Sequence, residues 1–375
     1  MLKSPFISFN YHAEAVTPIH VGASKENDYA AGQDYFYESG FYYFILKRRL
    51  YKTLTNQQVV QYANALANNN TRDAEKVLSQ AADKDPDLVY HVSECPFEPQ
   101  PSIKKHIADG MGNLIIPGSS LKGAIRSIIG KYLMQETRQS RFDERELFGT
   151  INNNLMRYLQ VGDIGFTQKG EVTPFKIFSG DVKGIYKRDF EGIGMWKHER
   201  NGGHRTAFNS SGFVTHAETL IEGASSMVRL NWADEIFKAV PDTLKHTNAR
   251  FYDYYKDNKW LKLAQSHTKE YLEQEIAFFE RFPNDDFYDA IDILKDLIAQ
   301  NDAPNTALIR LGAGSGFHAI TGNWKYRNHV DTEQATDRNR QPINAIQNKT
   351  RKVGFYKVEN ETYLQFPGYL KLTVC

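Results

Sequence analysis

Two cations, Lys122 and Arg126, stand four residues apart directly after the turn Pro117-Gly118-Ser119-Ser120. On a helix that spacing puts both on one face. The residues that follow support a helix, because Leu121, Ile125, Ile128, Ile129, Tyr132 and Leu133 recur at helical spacing. Ser119 or Ser120 is then expected to cap its first turn. Cations near a helix start oppose the positive end of the helix dipole. An anion held among backbone N–H groups, two hydroxyls and both cations would reverse that sign, and a phosphate is the natural candidate. The same residues also make an ordinary strand-to-helix turn with a solvated charged face. The two readings stay open on the residues alone.

A second glycine cluster lies late in the chain, at Gly312, Gly314 and Gly316, with Lys325, Tyr326 and Arg327 just beyond it. Glycines permit unusual dihedrals and close approach of another backbone. The cluster lacks the Gly-Lys-Ser/Thr of a phosphate loop and the spacing of a dinucleotide fingerprint. It reads as a phosphate contact or as a flexible turn packed on a strand. His20, in a turn after the first strand, and His318, in the glycine loop, are the histidines to weigh for metal-independent RNA cleavage by acid–base chemistry. No nucleophile elbow, no zinc-protease motif and no metal-ligand spacing occurs, so no catalytic residue, cofactor or metal is assigned.

Several elements must position these residues. Residues 6–15 alternate as a strand, with Ile7, Phe9, Tyr11 and Ala13 on one face. Residues 35–46 form a hairpin around Glu38-Ser39-Gly40. Residues 56–82 read as two small helices parted at Asn68-Asn69-Asn70, and residues 83–101 as a polar connection. Strands are expected near 159–166 and 175–178, then over 214–232 with a turn near 221–224. The basic stretch 180–212 reads as a long loop or extended hairpin. Helices are expected over 244–264, 267–282 and 285–299, a strand over 306–311, and two tail strands joined at Gly368. Strands and helices in runs favour α+β over a doubly wound sheet.

The chain has 375 residues, 41% hydrophobic and 24% charged, which suits a globular protein of one large or two ordinary domains. Its net charge of +1 hides separated zones. Residues 182–205 and 323–352 are basic, and residues 270–302 are acidic. Such zoning fits a polyanion on one face and a protein contact or a solvated surface on another. Two cysteines, Cys95 and Cys375, make no disulfide framework and point to a reducing cytoplasm. No signal-like or membrane-spanning run is seen.

Together the motifs resemble the RAMP superfamily of CRISPR-associated proteins. The residues that carry the resemblance are Thr17-Pro18-Ile19-His20-Val21-Gly22, the run Ile116-Pro117-Gly118-Ser119-Ser120-Leu121-Lys122-Gly123, Leu147-Phe148-Gly149, and the glycine loop over 312–322. Length and the helical middle are similar to the fifth subunit of the type III-A (Csm) effector complex. The resemblance implies tandem modified ferredoxin-like (RNA-recognition-motif-like) domains with a helical insertion. It places the boundary near residue 235, with domains at 1–235 and 236–375. It implies a non-catalytic CRISPR RNA-binding subunit that caps the end of the complex holding the guide's 3′ region. Such a subunit supports guide maturation and antiviral defence, contacts the other subunits (above all the backbone RAMP subunit), and meets target RNA indirectly. The implied RNA contacts are Gly118, Ser119, Ser120, Lys122, Arg126, Gly312, Gly314 and Gly316, with Lys325 and Arg327 beside the loop. His20 is implied to be structural. The alternative within the superfamily is a metal-independent guide-processing endoribonuclease.

Overall fold

The alternation of residues 7–15 does build a strand whose buried face is Tyr11, Ala13 and Ala15, and the rest of the fold assembles around it. The computed structural model describes residues 4–139, 143–180, 194–196, 208–256, 259–280, 282, 285–316, 319 and 350–375. In chain order the elements begin with β1 (Ile7–Ala15), β2 (Tyr29–Ala30), β3 (Tyr35–Glu38), β4 (Phe41–Ile45), α1 (Lys47–Thr53), α2 (Asn56–Ala67), α3 (Thr71–Lys84) and β5 (Val89–Glu94). There follow β6 (Ser102–Lys104), β7 (Leu114–Ile116), α4 (Gly118–Thr137), α5 (Glu144–Phe148), β8 (Leu159–Val161), β9 (Ile164–Phe166), β10 (Glu171–Gly180), β11 (Gly194–Trp196), β12 (Thr215–Thr219) and β13 (Ser225–Trp232). The chain closes with α6 (Asp234–Ala239), α7 (Tyr252–Tyr255), α8 (Lys259–Phe279), α9 (Asp285–Asn301), β14 (Thr306–Arg310), β15 (Thr350–Val358), β16 (Glu361–Gln365) and β17 (Tyr369–Val374).

Two large sheets carry the molecule. The first has strand order β14-β17-β1-β13-β8, and the second β16-β15-β10-β12-β6-β2, with β11 paired to β10. In the first sheet β17, β1, β13 and β8 lie side by side, with α4 between β1 and β8 in the chain and α8 between β13 and β17. Helix α4 lies against β8, and α8 lies against both α4 and β14. Both sheets draw strands from before and after residue 235. The architecture is α+β, and sequence-distant strands are hydrogen-bonded neighbours: Tyr11 sits opposite Val228 on one side and Val374 on the other.

Local signals account for several elements. Ser39 and Gly40 both adopt positive φ (50° and 93°), as a tight turn between β3 and β4 requires. Thr55 and Gln58 form a capping box at α2, and the Asn70 side chain caps α3. These helices have their own small core with Phe36, Leu50, Tyr62, Leu78 and Leu88.

Four expectations need correction. The stretch 244–264 is not one helix: a 3-10 turn over Thr247–Phe251 and the short α7 precede the start of α8. Helix α8 runs unbroken through residues 265–267, where a break was expected. The reason is that it serves two cores at once. Trp260, Leu261 and Ala264 enter the core of the first sheet, and Tyr271, Leu272 and Phe279 that of the second. The tail holds three strands rather than two, because Glu359 and Asn360 take positive φ (48° and 73°) and turn β15 into β16. The polar connection over 83–101 contains β5, which pairs with β4; Tyr90 and Val92 on it remain exposed, which hid the strand. The basic stretch 180–212 falls mostly outside the described residues; its part Gly194–Trp196 pairs with β10 as one arm of a hairpin.

Candidate nucleic-acid interface

The start of α4 is fixed by packing. Pro117, at φ −58°, occupies the cap position, and no side chain of its own caps the helix. A Cβ on Gly118 would come within 2.2 Å of the Val161 carbonyl oxygen, so the helix enters against the β8–β9 turn and only glycine fits. The Gly118 N–H donates to Asp163 Oδ1 at 2.6 Å. Ser119 and Ser120 therefore do not cap α4, as the sequence reading expected. A carboxylate from 45 residues further on complements the positive helix end instead.

What α4 leaves for a ligand is its flank. An open groove of about 750 Å³ runs beside its first turns, lined by Ser119, Lys122, Gly123 and Arg126, with α5 and residues 149–157 opposite. Lys122 is half-buried; its Nζ donates to the Leu159 carbonyl oxygen at 2.6 Å, and burial together with Arg126 lowers its pKa. Arg126 lies over the Phe148 ring at 5.0 Å and pairs with Glu144. Arg145 and Arg157, both exposed, complete a wall of four cations facing one carboxylate, Glu144. Leu147 and Phe148 are buried anchors, and Gly149 turns the chain at φ +94°, which brings residues 150–157 back to the groove.

Gly123 is the residue that sequence reasoning missed. It lies in the second turn of α4, it is exposed, and a Cβ there would meet nothing within 4 Å. A glycine inside a helix costs about 1 kcal/mol relative to alanine. No packing explains that cost, and a bare backbone between Ser119, Lys122 and Arg126 suits close approach by a ligand. Its sequence signals were its place at the end of the Ile116–Gly123 motif and the interruption of an otherwise regular helical pattern.

The late glycine loop is built differently. A Cβ on Gly312, at φ +82°, would lie 2.4 Å from the His20 carbonyl oxygen, and one on Gly314 would lie 2.3 Å from Pro367 Cγ. Ala313 N–H donates to the His20 carbonyl at 2.8 Å, and the Gly314 carbonyl accepts from buried Arg310 at 3.1 Å. The loop is thus a clasp on the Thr17–Gly22 turn, whose Pro18 carbonyl accepts from Gly368 N–H at 2.9 Å. Of the three glycines, only Gly316 faces open space. Lys325, Arg327 and His318 lie outside the described residues. Lys352 is the cation found at the loop, donating to the Ala313 carbonyl at 3.3 Å; burial and nearby Lys104 lower its pKa.

His20 is committed to structure. Its Nδ1 donates to the Glu218 carbonyl at 2.7 Å, its ring meets His106 edge-on at 5.8 Å, and burial lowers its pKa, so it stays neutral. His106 in turn accepts from Val21 N–H and donates to the Ile115 carbonyl.

One backbone ladder joins the two motifs. Ala313 bonds His20, Ile107 N–H donates to the Val21 carbonyl at 2.8 Å, and Ile115 N–H donates to the Ile107 carbonyl at 3.1 Å. Pro117 and α4 follow directly. Motifs separated by almost two hundred residues of chain thus stand on one ledge.

Residues 12–360 match the model of the RAMP superfamily, and the chain belongs to that superfamily. It is also similar to the CRISPR system Cms protein Csm5 of Streptococcus thermophilus, at 27% identity over 175 residues, 41% of this chain and 47% of that protein. The chain thus spans about half the length of the curated relative it matches. Two solved structures share the fold. A chain in the cryo-EM structure of a Csm–crRNA–target RNA ternary complex of a type III-A CRISPR-Cas system matches with TM-score 0.66 and 14% identity, over 98% of this chain and 100% of that one. The crystal structure of T. onnurineus Csm5 matches with TM-score 0.59 and 15% identity, over 82% and 90%. Among the described residues, no helix is long and apolar enough to cross a membrane, and no group of His, Cys, Asp or Glu is placed to hold a metal ion.

Proposed function

We propose that this protein is the CRISPR RNA-binding subunit that caps a type III-A (Csm) interference complex at the end holding the guide's 3′ region, supporting guide maturation and antiviral defence. The observation that carries the proposal is the groove beside α4, which Lys122, Arg126, Arg145 and Arg157 line together with the bare backbone of Gly123. Such a surface grips phosphates without reading bases, and base pairing by the guide reads the target. Gly118 acts by holding α4 in place, Ser119 stands on the groove rim, and Lys352 and Gly316 extend the RNA path; Lys325 and Arg327, a few residues further along the sequence, are RNA contacts of the same reading. Neighbouring Csm subunits, above all the backbone RAMP subunit, are the protein partners, target RNA is met through the guide, and the setting is the cytoplasm. One further point belongs to this reading: the tandem ferredoxin-like plan, with the second sheet as its diverged member; the expected division near residue 235 does not separate the two sheets, since each draws strands from both sides of it. This reading is one of binding rather than cleavage: of the two candidate histidines, His20 is held in the core by the Glu218 carbonyl and His318 lies outside the described residues.

The test is a complex purified with Lys122→Ala and Arg126→Ala together. Guide RNA should be lost from its 3′ region while the variant keeps its thermal transition. Because each phosphate contact on a single strand contributes about 0.7 to the log–log salt slope, that slope should fall by about 1.4. Unchanged guide retention would sink the proposal. Discrete cleavage of repeat RNA in EDTA, abolished by His20→Ala or His318→Ala in a variant that stays folded, would move the function to a processing nuclease.

A further inference from the structure

Ile151 is 91% exposed, the most exposed large apolar side chain among the described residues. It does not hang on a loose loop. Gly149 turns the chain, Asn153 Oδ1 accepts from both the N–H and the hydroxyl of Thr150, at 2.8 and 3.0 Å, and Arg157 Nη1 donates to the Asn152 carbonyl at 2.7 Å. These bonds close a small turn and present Ile151 at its tip, on the wall of the groove that Lys122 and Arg126 line from the other side. A β-branched apolar residue at a polar turn tip breaks the usual turn chemistry and exposes apolar surface to water. Among the described residues nothing covers it. The position of the cations selects the partner. A phosphate against Lys122 and Arg126 leaves the base or ribose of the same nucleotide facing the opposite wall.

Resting on the reading of the groove as an RNA site, we propose that Ile151 is an apolar wedge that packs on the face of one unpaired nucleotide, so that the groove accepts single-stranded RNA and rejects duplex. In a duplex that face is stacked on its neighbours and unavailable. The turn is already closed by its own hydrogen bonds, so little ordering is required on binding.

The full chain would be titrated, by fluorescence anisotropy, with a short single-stranded RNA, with its duplex, and with a series carrying one abasic site at each position. Ile151→Ala should weaken single-strand binding about fivefold, on the scale of losing one stacked base, and leave the salt slope unchanged. One abasic position should weaken the unsubstituted protein by a similar factor and have no further effect on Ile151→Ala, the non-additivity expected of two groups in contact. Ile151→Phe should retain binding. If Ile151→Ala binds every RNA as the parent does while Arg145→Ala with Arg157→Ala weakens binding, the wedge is overturned and the RNA groove stands. If the arginine pair changes nothing either, the groove reading itself fails. If Ile151→Ala binds RNA normally but no longer co-purifies with neighbouring Csm subunits, the side chain is a protein contact and the inference is wrong.

Discussion

The groove beside α4 and the glycine loop at residues 312–316 have the same ingredients: glycines, serines and nearby cations. They use them in opposite ways. At the loop, Gly312 and Gly314 are glycine because His20 and Pro367 occupy the space a side chain would need, and the N–H of Ala313 is already given to His20. At the groove, Gly118 is fixed by packing in the same way, but Gly123 is not, and four cations line the opening. A glycine that touches its own protein is a structural part. One that touches nothing is the better candidate for touching something else.

The largest effect expected from a single substitution that breaks this contrast is at the packed glycines. Gly312→Ala combines a backbone clash with a left-handed φ, and Gly118→Ala presses a methyl group into a carbonyl oxygen. Each should lower stability by about 3 kcal/mol, read as a drop in the urea midpoint, with any loss of RNA binding following from unfolding. A midpoint within error of the parent would show that the ledge can yield.

A second effect separates the two regions by pH. Burial holds His106 and His216 down at about 4, and lowers His20 as well, close to the clasped turn. The unfolded chain protonates these rings first, near pH 6.5. Stability is therefore full above about 6.5 and falls as pH drops from there toward about 4, by about 3 kcal/mol for each of His106 and His216. The α4 groove is lined by no histidine. Urea midpoints should decline across that window, while RNA affinity of the folded fraction at constant ionic strength stays level. Affinity that titrates with the histidines would tie the clasp directly to RNA.

The smallest and sharpest test is Gly123→Ala. It should raise stability by about 1 kcal/mol through helix propensity and at the same time weaken RNA binding, because a methyl group now stands where the ligand backbone approaches. Stability and binding moving in opposite directions is the signature of a glycine kept for a ligand. A variant that is more stable and binds equally well would return Gly123 to an accident of sequence.

Much of this was legible locally. The alternation of β1, the hairpin at Ser39-Gly40, the paired helices with their caps and the apolar face of α4 were all readable, because each depends on residues within a few positions of one another. Lys122 and Arg126 were found by spacing, and they do line one groove with Ser119. The partners that change the meaning of the motif were not readable. Asp163, which takes the role expected of a serine cap, has no local relation to Gly118, and Arg145 and Arg157 reach the groove only because Gly149 turns the chain. The continuity of α8 was hidden because polar residues 265–267 look like a break until the two cores on either side are seen.

By itself the sequence determined the class of architecture, the main elements and the motif that marks the superfamily, since periodicity, capping and turn chemistry are short-range physics. Only the tertiary structure decided which glycines are load-free, which histidine is neutral and which cations share an opening. Those properties depend on what lies within a few ångströms, and here the neighbours of His20 come from Glu218 and Ala313, far away along the chain.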